Sequence, residues 1–169
     1  MQVTRYHWFH RLLHAVMALL IPALFGVGLW MVDLDFYHGW YHRAPDMHKA
    51  VGMIVALLLL LRMLMLLAKK PAQSQVLVKL AHIAMYGLLV MVLVSGYFIA
   101  TAEGQGVDVF GLFMVPALLT SIDNQADIAG EIHLWSAWAL IVLTVLHLAG
   151  ALKHAWFDKD DTMQRMWGR

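Results

Sequence analysis

The sequence predicts an all-α membrane protein, a four-helix transmembrane bundle with both termini cytoplasmic. Three observations carry this prediction. First, 62% of the 169 residues are hydrophobic and 14% charged, with mean hydropathy +0.68; soluble domains carry about 25% charged residues. Second, apolar stretches at 12–32, 47–67, 76–100 and 132–152 each reach the roughly 20 residues that cross a bilayer as helix. Third, ten of the twelve basic residues (Arg5, Arg11, Arg62, Lys69, Lys70, Lys79, Lys153, Lys159, Arg165 and Arg169) fall on one side of that topology, which the positive-inside rule makes cytoplasmic.

Span one follows Arg5 and Arg11, as a secretory signal would. Its length, His14 and Pro22 within it, and the lack of a small-residue cleavage site mark it as a permanent span. The first outer connection holds Asp33, Asp35, His38, His42, Arg43 and Asp46. Span two opens at His48 and carries Arg62; span three opens at His82. The last outer loop, 101–130, contains an amphipathic segment from Val107 to Phe113 followed by Pro116, expected to cap the outer surface. Span four contains His133 and His147, with Lys153 and His154 beyond. Trp8 and Trp156 are expected at the inner boundary, and Trp30, Trp40, Tyr41, Tyr97 and Trp135 at the outer one. Outside, Asp33, Asp35, Asp46, Glu103, Asp108, Asp123, Asp127 and Glu131 outnumber Arg43 and Lys49, so the periplasmic face is acidic. No repeat or linker divides the chain, and 1–169 reads as a single domain.

The absence of cysteine excludes thiolate ligation, iron–sulfur clusters, disulfides and thioether-linked haem. Among ten histidines, five lie inside or at the mouth of spans: His14, His48, His82, His133 and His147. An imidazole in hydrocarbon needs a partner for each ring nitrogen, so such residues mark function. His133 and His147, fourteen residues apart, share a helix face about 21 Å apart in depth. Depth pairs His48 with His133 near the outside and His14 with His147 near the inside. Two such sites suit b-type haem, whose iron takes one axial imidazole from each of two facing helices.

Arg62, fourteen residues after His48, falls at the inner depth, where it could neutralise a haem propionate or simply snorkel. Gly52, Gly130 and Gly150 offer room beside the ligand candidates. His82 shares the inner depth with His14 and His147, and stands as alternative ligand or quinone contact. His154, seven residues beyond His147 and beside Lys153, could carry protons for a quinone at the membrane surface, or be an ordinary surface residue. His7 and His10 precede the membrane and receive no role.

The segments Arg11-Leu12-Leu13-His14, Pro45-Asp46-Met47-His48-Lys49, Ala81-His82-Ile83-Ala84-Met85-Tyr86, Glu131-Ile132-His133, and Leu146-His147 through Lys153-His154 to Phe157-Asp158-Lys159-Asp160 resemble the prokaryotic cytochrome b561 family. That family is related to the b-type cytochrome subunits of hydrogenases and formate dehydrogenases. The resemblance implies two b-type haems with ligands at His14, His48, His133 and His147, and electron exchange with ubiquinone, His154 matching a quinone-contacting position. It implies a bacterial inner-membrane location. One branch oxidises superoxide at the periplasmic face, but an acidic outer surface repels an anion except where Arg43 and Lys49 dominate locally.

The leading reading is a di-haem electron-transfer protein linking ubiquinone to a periplasmic redox partner, with superoxide:ubiquinone oxidoreduction as a narrower version. A membrane haem anchor for a periplasmic redox protein, docking through 101–130, is the second. Metal transport is the third: Met31, Met47 and Met53 near the outside are soft ligands, though Met is also ordinary packing filler.

Overall fold

Four long runs without a helix-terminating break become four long helices in a computed structural model of the chain, which describes residues 7–67, 76–119 and 122–158. Arg5, Lys69, Lys70, Lys159, Arg165 and Arg169 of the orientation argument lie outside the described residues, as does Asp160 of the family-like motif. The helices are α1 (Trp8–Met31), α2 (Arg43–Leu67), α3 (Val76–Thr101) and α4 (Gln125–Lys153). At 24 to 29 residues they are roughly 36–44 Å long, enough to cross the hydrocarbon core and reach both headgroup layers. Leu19, Leu57, Leu60, Leu64, Ile83, Val90, Val145 and Leu146 all point outward. Water would penalise those faces and lipid does not, so the chain is a multi-pass membrane protein.

Two helix ends differ from expectation. His7 caps α1, its Nδ1 accepting from the Phe9 amide at 3.3 Å, and His10, expected ahead of the membrane, lies inside α1 at 4% exposure. α4 begins at Gln125, seven residues before the apolar stretch starts at Ile132. Hydropathy stops at Asp127 and Glu131, but carboxylates in the first turns suit the helix dipole, and Gln125 Nε2 ties the start to the Phe98 carbonyl at 2.9 Å. Pro22 sits within α1, as membrane helices allow.

α1 packs closely on α2, and α3 more closely still on α4; contact between the two pairs is sparser. Met17, Val55, Leu59, Leu89 and Leu140 fill the middle of the bundle, with Leu20, Ile21 and Leu24 against them. Phe25 and Trp138 meet edge to face across the seam, centroids 4.8 Å apart.

The segment expected to cap the outer surface folds as a β-hairpin over one end of the bundle. β1 (Val107–Val109) pairs antiparallel with β2 (Phe113–Val115), Val107 facing Val115 and Val109 facing Phe113. Alternation decides this: Val107 and Val109 are buried, β1 packing against α2 and α3, while Asp108 points away. At the turn Phe110 and Gly111 both have positive φ, 55° and 71°, and the Leu112 amide donates to the Val109 carbonyl at 3.0 Å. Such a turn prefers Asn-Gly; a left-handed Phe costs about 1–2 kcal/mol. The Asp108 carboxylate offsets part of that by accepting from the Gly111 amide at 3.0 Å. Tyr97, near the end of α3, donates its hydroxyl to the Pro116 carbonyl at 2.8 Å and accepts from the Leu118 amide at 2.9 Å, pinning the cap to the bundle. We call this the capped end and the other the far end.

Candidate functional site

A seven-residue step returns almost to the same helix face, and each helix uses it twice. α1 carries His14, Ile21 and Gly28; α2 carries His48, Val55 and Arg62; α3 carries His82, Leu89 and Gly96; α4 carries His133, Leu140 and His147. The bundle thereby has three layers. Val55, Leu89 and Leu140 belong to the central core, with Ile21 packed on it. Imidazoles and glycines meet at the capped end, and imidazoles and a guanidinium at the far end.

At the capped end His48 of α2 faces His133 of α4 across the seam, ring centroids 6.3 Å apart and planes at 70°. Two imidazoles bonded to one metal from opposite sides, with bonds of about 2 Å and nitrogens about 1.1 Å from the ring centres, have centroids about 6.3 Å apart. The separation fits a shared iron. His133 Nδ1 donates to the Val92 carbonyl at 2.9 Å, with Ser95 Oγ 3.4 Å away, which fixes the tautomer and leaves Nε2 as the free lone pair. Nδ1 of His48 is buried with no hydrogen-bond partner. Such an atom is costly and calls for a ligand or ion to justify it.

Gly28 and Gly96 complete this layer. A Cβ on Gly28 would meet His48 Cε1 at 3.3 Å, and one on Gly96 would meet His133 Cε1 at 3.0 Å and Nδ1 at 3.1 Å. Each glycine therefore lets the Cε1–Nδ1 edge of an imidazole come close to a neighbouring helix. The glycines expected to make room, Gly52, Gly130 and Gly150, face open space, with nothing within 4 Å of an added Cβ. Gly28, Gly96 and Ser95 were not singled out from the sequence. The fourteen-residue interval to His14 and His82 carried the signal for both glycines.

At the far end His147 contacts His82, ring centroids 5.1 Å apart and planes at 77°. His14 is an electrostatic neighbour of Arg62, His147, His10 and His82, so all five groups share this end. His82 Nδ1 lies 2.7 Å from the Val78 carbonyl of its own helix. Arg62 is 8% exposed, and its Nε donates to the Tyr86 hydroxyl at 2.7 Å. Burial makes plain snorkelling a poor description of Arg62, because a snorkelling head reaches water. Tyr86 is a further residue that sequence reasoning left without a role, one turn beyond His82 on the bundle side.

The two histidine contacts differ in kind. His48 and His133 span the looser seam between helix pairs, whereas His82 and His147 stand on adjacent helices of the tightest pair, about 1 Å closer than a shared metal needs. His14, on α1, reaches His147 only across the seam. Beyond His147, α4 widens into a π-helical turn, His154–Asp158, so the register that would place His154 on the His147 face holds as far as Lys153. π-turns recur at functional sites.

Among the described residues, no group of three or more His, Cys, Asp or Glu side chains could hold a bare metal ion. Bare transition ions take three or four protein donors; paired imidazoles suit a metal whose other positions a macrocycle fills. Lys49, one of the two basic residues of the expected outer face, is paired with Asp46 at 2.8 Å.

A family model described as prokaryotic cytochrome b561 matches residues 5–169. Cytochrome b561 homolog 2 of Escherichia coli (strain K12) is 42% identical over 164 residues, covering 92% of this chain and 87% of that protein.

Proposed function

Because this chain belongs to the prokaryotic cytochrome b561 family, membrane electron-transfer proteins that bind b-type haem, we propose that it holds two b haems in one domain, 1–169, and exchanges electrons between ubiquinone and a periplasmic redox partner across the bacterial inner membrane. The observation that carries the reading is the 6.3 Å separation of His48 and His133 across the seam. In this reading the capped end faces the periplasm and both termini the cytoplasm, as the distribution of basic residues favours.

Bound haem supplies one-electron chemistry; this chain's residues supply position and electrostatics. His48 and His133 would hold the haem iron at the capped end, the Val92 carbonyl orienting His133. His14 and His147 would hold a second haem iron at the far end, with His82 as the alternative partner of His147. The buried Arg62 guanidinium, steadied by Tyr86, would offer its charge to a propionate there. The apolar middle layer keeps water from the space between the sites. His154 and Lys153 border the quinone site, where His154 takes up or releases protons.

Superoxide as the periplasmic substrate gains little support, since the Lys49 charge is already balanced by Asp46. A transporter of bare metal would need donor clusters where the described residues provide pairs.

The test is an oxidised and reduced visible spectrum of purified protein with a pyridine haem assay, followed by stopped-flow mixing with ubiquinol. Two b haems per chain, reduced by ubiquinol on the millisecond to second scale and more slowly in His154→Ala, are the expected result. Haem-free protein after expression with ample haem overturns the reading. Two haems that ubiquinol cannot reduce and ubiquinone cannot oxidise turn it towards a haem anchor.

A further inference from the structure

From Val109 to Ile122 the chain carries no charged residue, on what is nominally the water-facing cap of the bundle. The only carboxylate of β1, Asp108, is turned to the Gly111 amide inside the turn. Around that turn the side chains that show are Phe110 at 50% exposure, Leu112 at 80%, Phe113, Met114, Leu118 and Leu119. Surface hydrophobics scattered singly need no explanation, but a contiguous set of this size does.

Its geometry adds a second, independent observation. The turn holds a phenylalanine at positive φ where Asn or Gly would sit without strain. The strained backbone directs an aromatic ring outward from the tip, rather than into the two-valine face already packed on the bundle. The Tyr97 hydrogen bonds fix the chain just after β2 to the last turns of α3, the end of a helix long and apolar enough to span the bilayer. A loop with polar tip residues would stand off in water. This one presents an aromatic, aliphatics and a methionine, without a charge to desolvate, at the headgroup boundary.

We infer that the β-hairpin is an interfacial membrane anchor: Phe110, Leu112 and Phe113 dip into the lipid leaflet at the capped end and fix the depth of the bundle there. The occupant is the lipid surface, because a protein partner of this acidic end would be basic and the hairpin tip offers it no charge. The inference is independent of haem or quinone binding.

The chain has no cysteine, so single-cysteine labelling is clean. Phe110→Cys and Leu112→Cys, each carrying a nitroxide, are reconstituted as full-length protein in phosphatidylcholine–phosphatidylglycerol vesicles, with Glu103→Cys as the aqueous reference. Power-saturation electron paramagnetic resonance then compares accessibility to oxygen, which concentrates in lipid, with that to a water-soluble nickel chelate. The expected result is an oxygen-to-nickel ratio at least threefold higher at both tip positions than at Glu103→Cys. A ratio equal to that reference means the tip stands in water, and overturns the proposal. Low accessibility to both reagents means protein covers the tip, and overturns it equally. If either cysteine variant fails to fold, a nitroxide at Leu118→Cys gives the same reading outside the strained turn.

Discussion

Nε of Arg62 donates to the hydroxyl of Tyr86 at 2.7 Å, joining the α2 member of the far-end layer to a residue one turn past His82 on α3. A phenol steadies the guanidinium without neutralising it, so a buried positive charge remains for an anion. Removing it favours the ferric form of a nearby haem. Arg62→Gln should lower one midpoint potential by about 60 mV or more, equivalent to about 1.4 kcal/mol for one electron, and leave the other unchanged. Tyr86→Phe should cost about 1 kcal/mol of stability with a smaller shift. Potentiometric titration of the reduced α-band checks both.

The capped-end ligands should fail together. His48→Ala and His133→Ala are each expected to reduce haem content from two to one per chain and to remove the same spectral and potentiometric component. Loss of different components from the two variants contradicts a shared iron.

At the far end the decision lies between His14 and His82. His14→Ala and His147→Ala should lose the same centre, and His82→Ala should retain two haems, because His82 already lies 5.1 Å from His147 on an adjacent helix. A one-haem His82→Ala protein beside a two-haem His14→Ala protein reverses the pairing. Pyridine haem assays normalised to protein mass suffice.

Gly96→Ala places a methyl group at about 3.0 Å from the His133 ring, which only movement of the imidazole or of α3 can relieve. It should weaken haem retention at the capped end, and Gly28→Leu should do the same through His48. Gly52→Ala, which meets nothing within 4 Å, is the control and should behave as the parent. Spectral titration of apoprotein with haem reads the difference in affinity.

Leu140, midway between His133 and His147 in the central layer, is buried at 5% exposure. Leu140→Ala should destabilise the bundle by about 2–5 kcal/mol without removing either haem. Thermal unfolding in detergent should show a lowered midpoint with unchanged haem stoichiometry.

Much of this was legible in the chain before any coordinates. Lipid imposes so strict a requirement on the backbone that four long apolar runs with few charges sufficed to give four helices. The two imidazoles of α4 fixed two depths through the helical repeat alone. The limits fell where hydropathy and structure obey different rules: α4 extends back to Gln125 because its carboxylates suit a helix start and a headgroup layer, and His10 is buried because α1 starts earlier than its apolar run.

Sequence by itself therefore determined the membrane helices, their order, and the depth of His14, His48, His82, His133 and His147, since all of these follow from local rise and rotation. Only the tertiary structure decided which side chains at a given depth come into contact. It set His48 against His133 at 6.3 Å across the seam and His82 against His147 at 5.1 Å within a helix pair. It also gave Gly28 and Gly96, rather than Gly52, Gly130 and Gly150, to the imidazoles, and folded Val107 to Val115 into a hairpin. The reason is physical: helical periodicity fixes depth and face within one helix, but the distance between two faces depends on how helices pack, and in lipid that is governed by close side-chain contact that no single segment encodes.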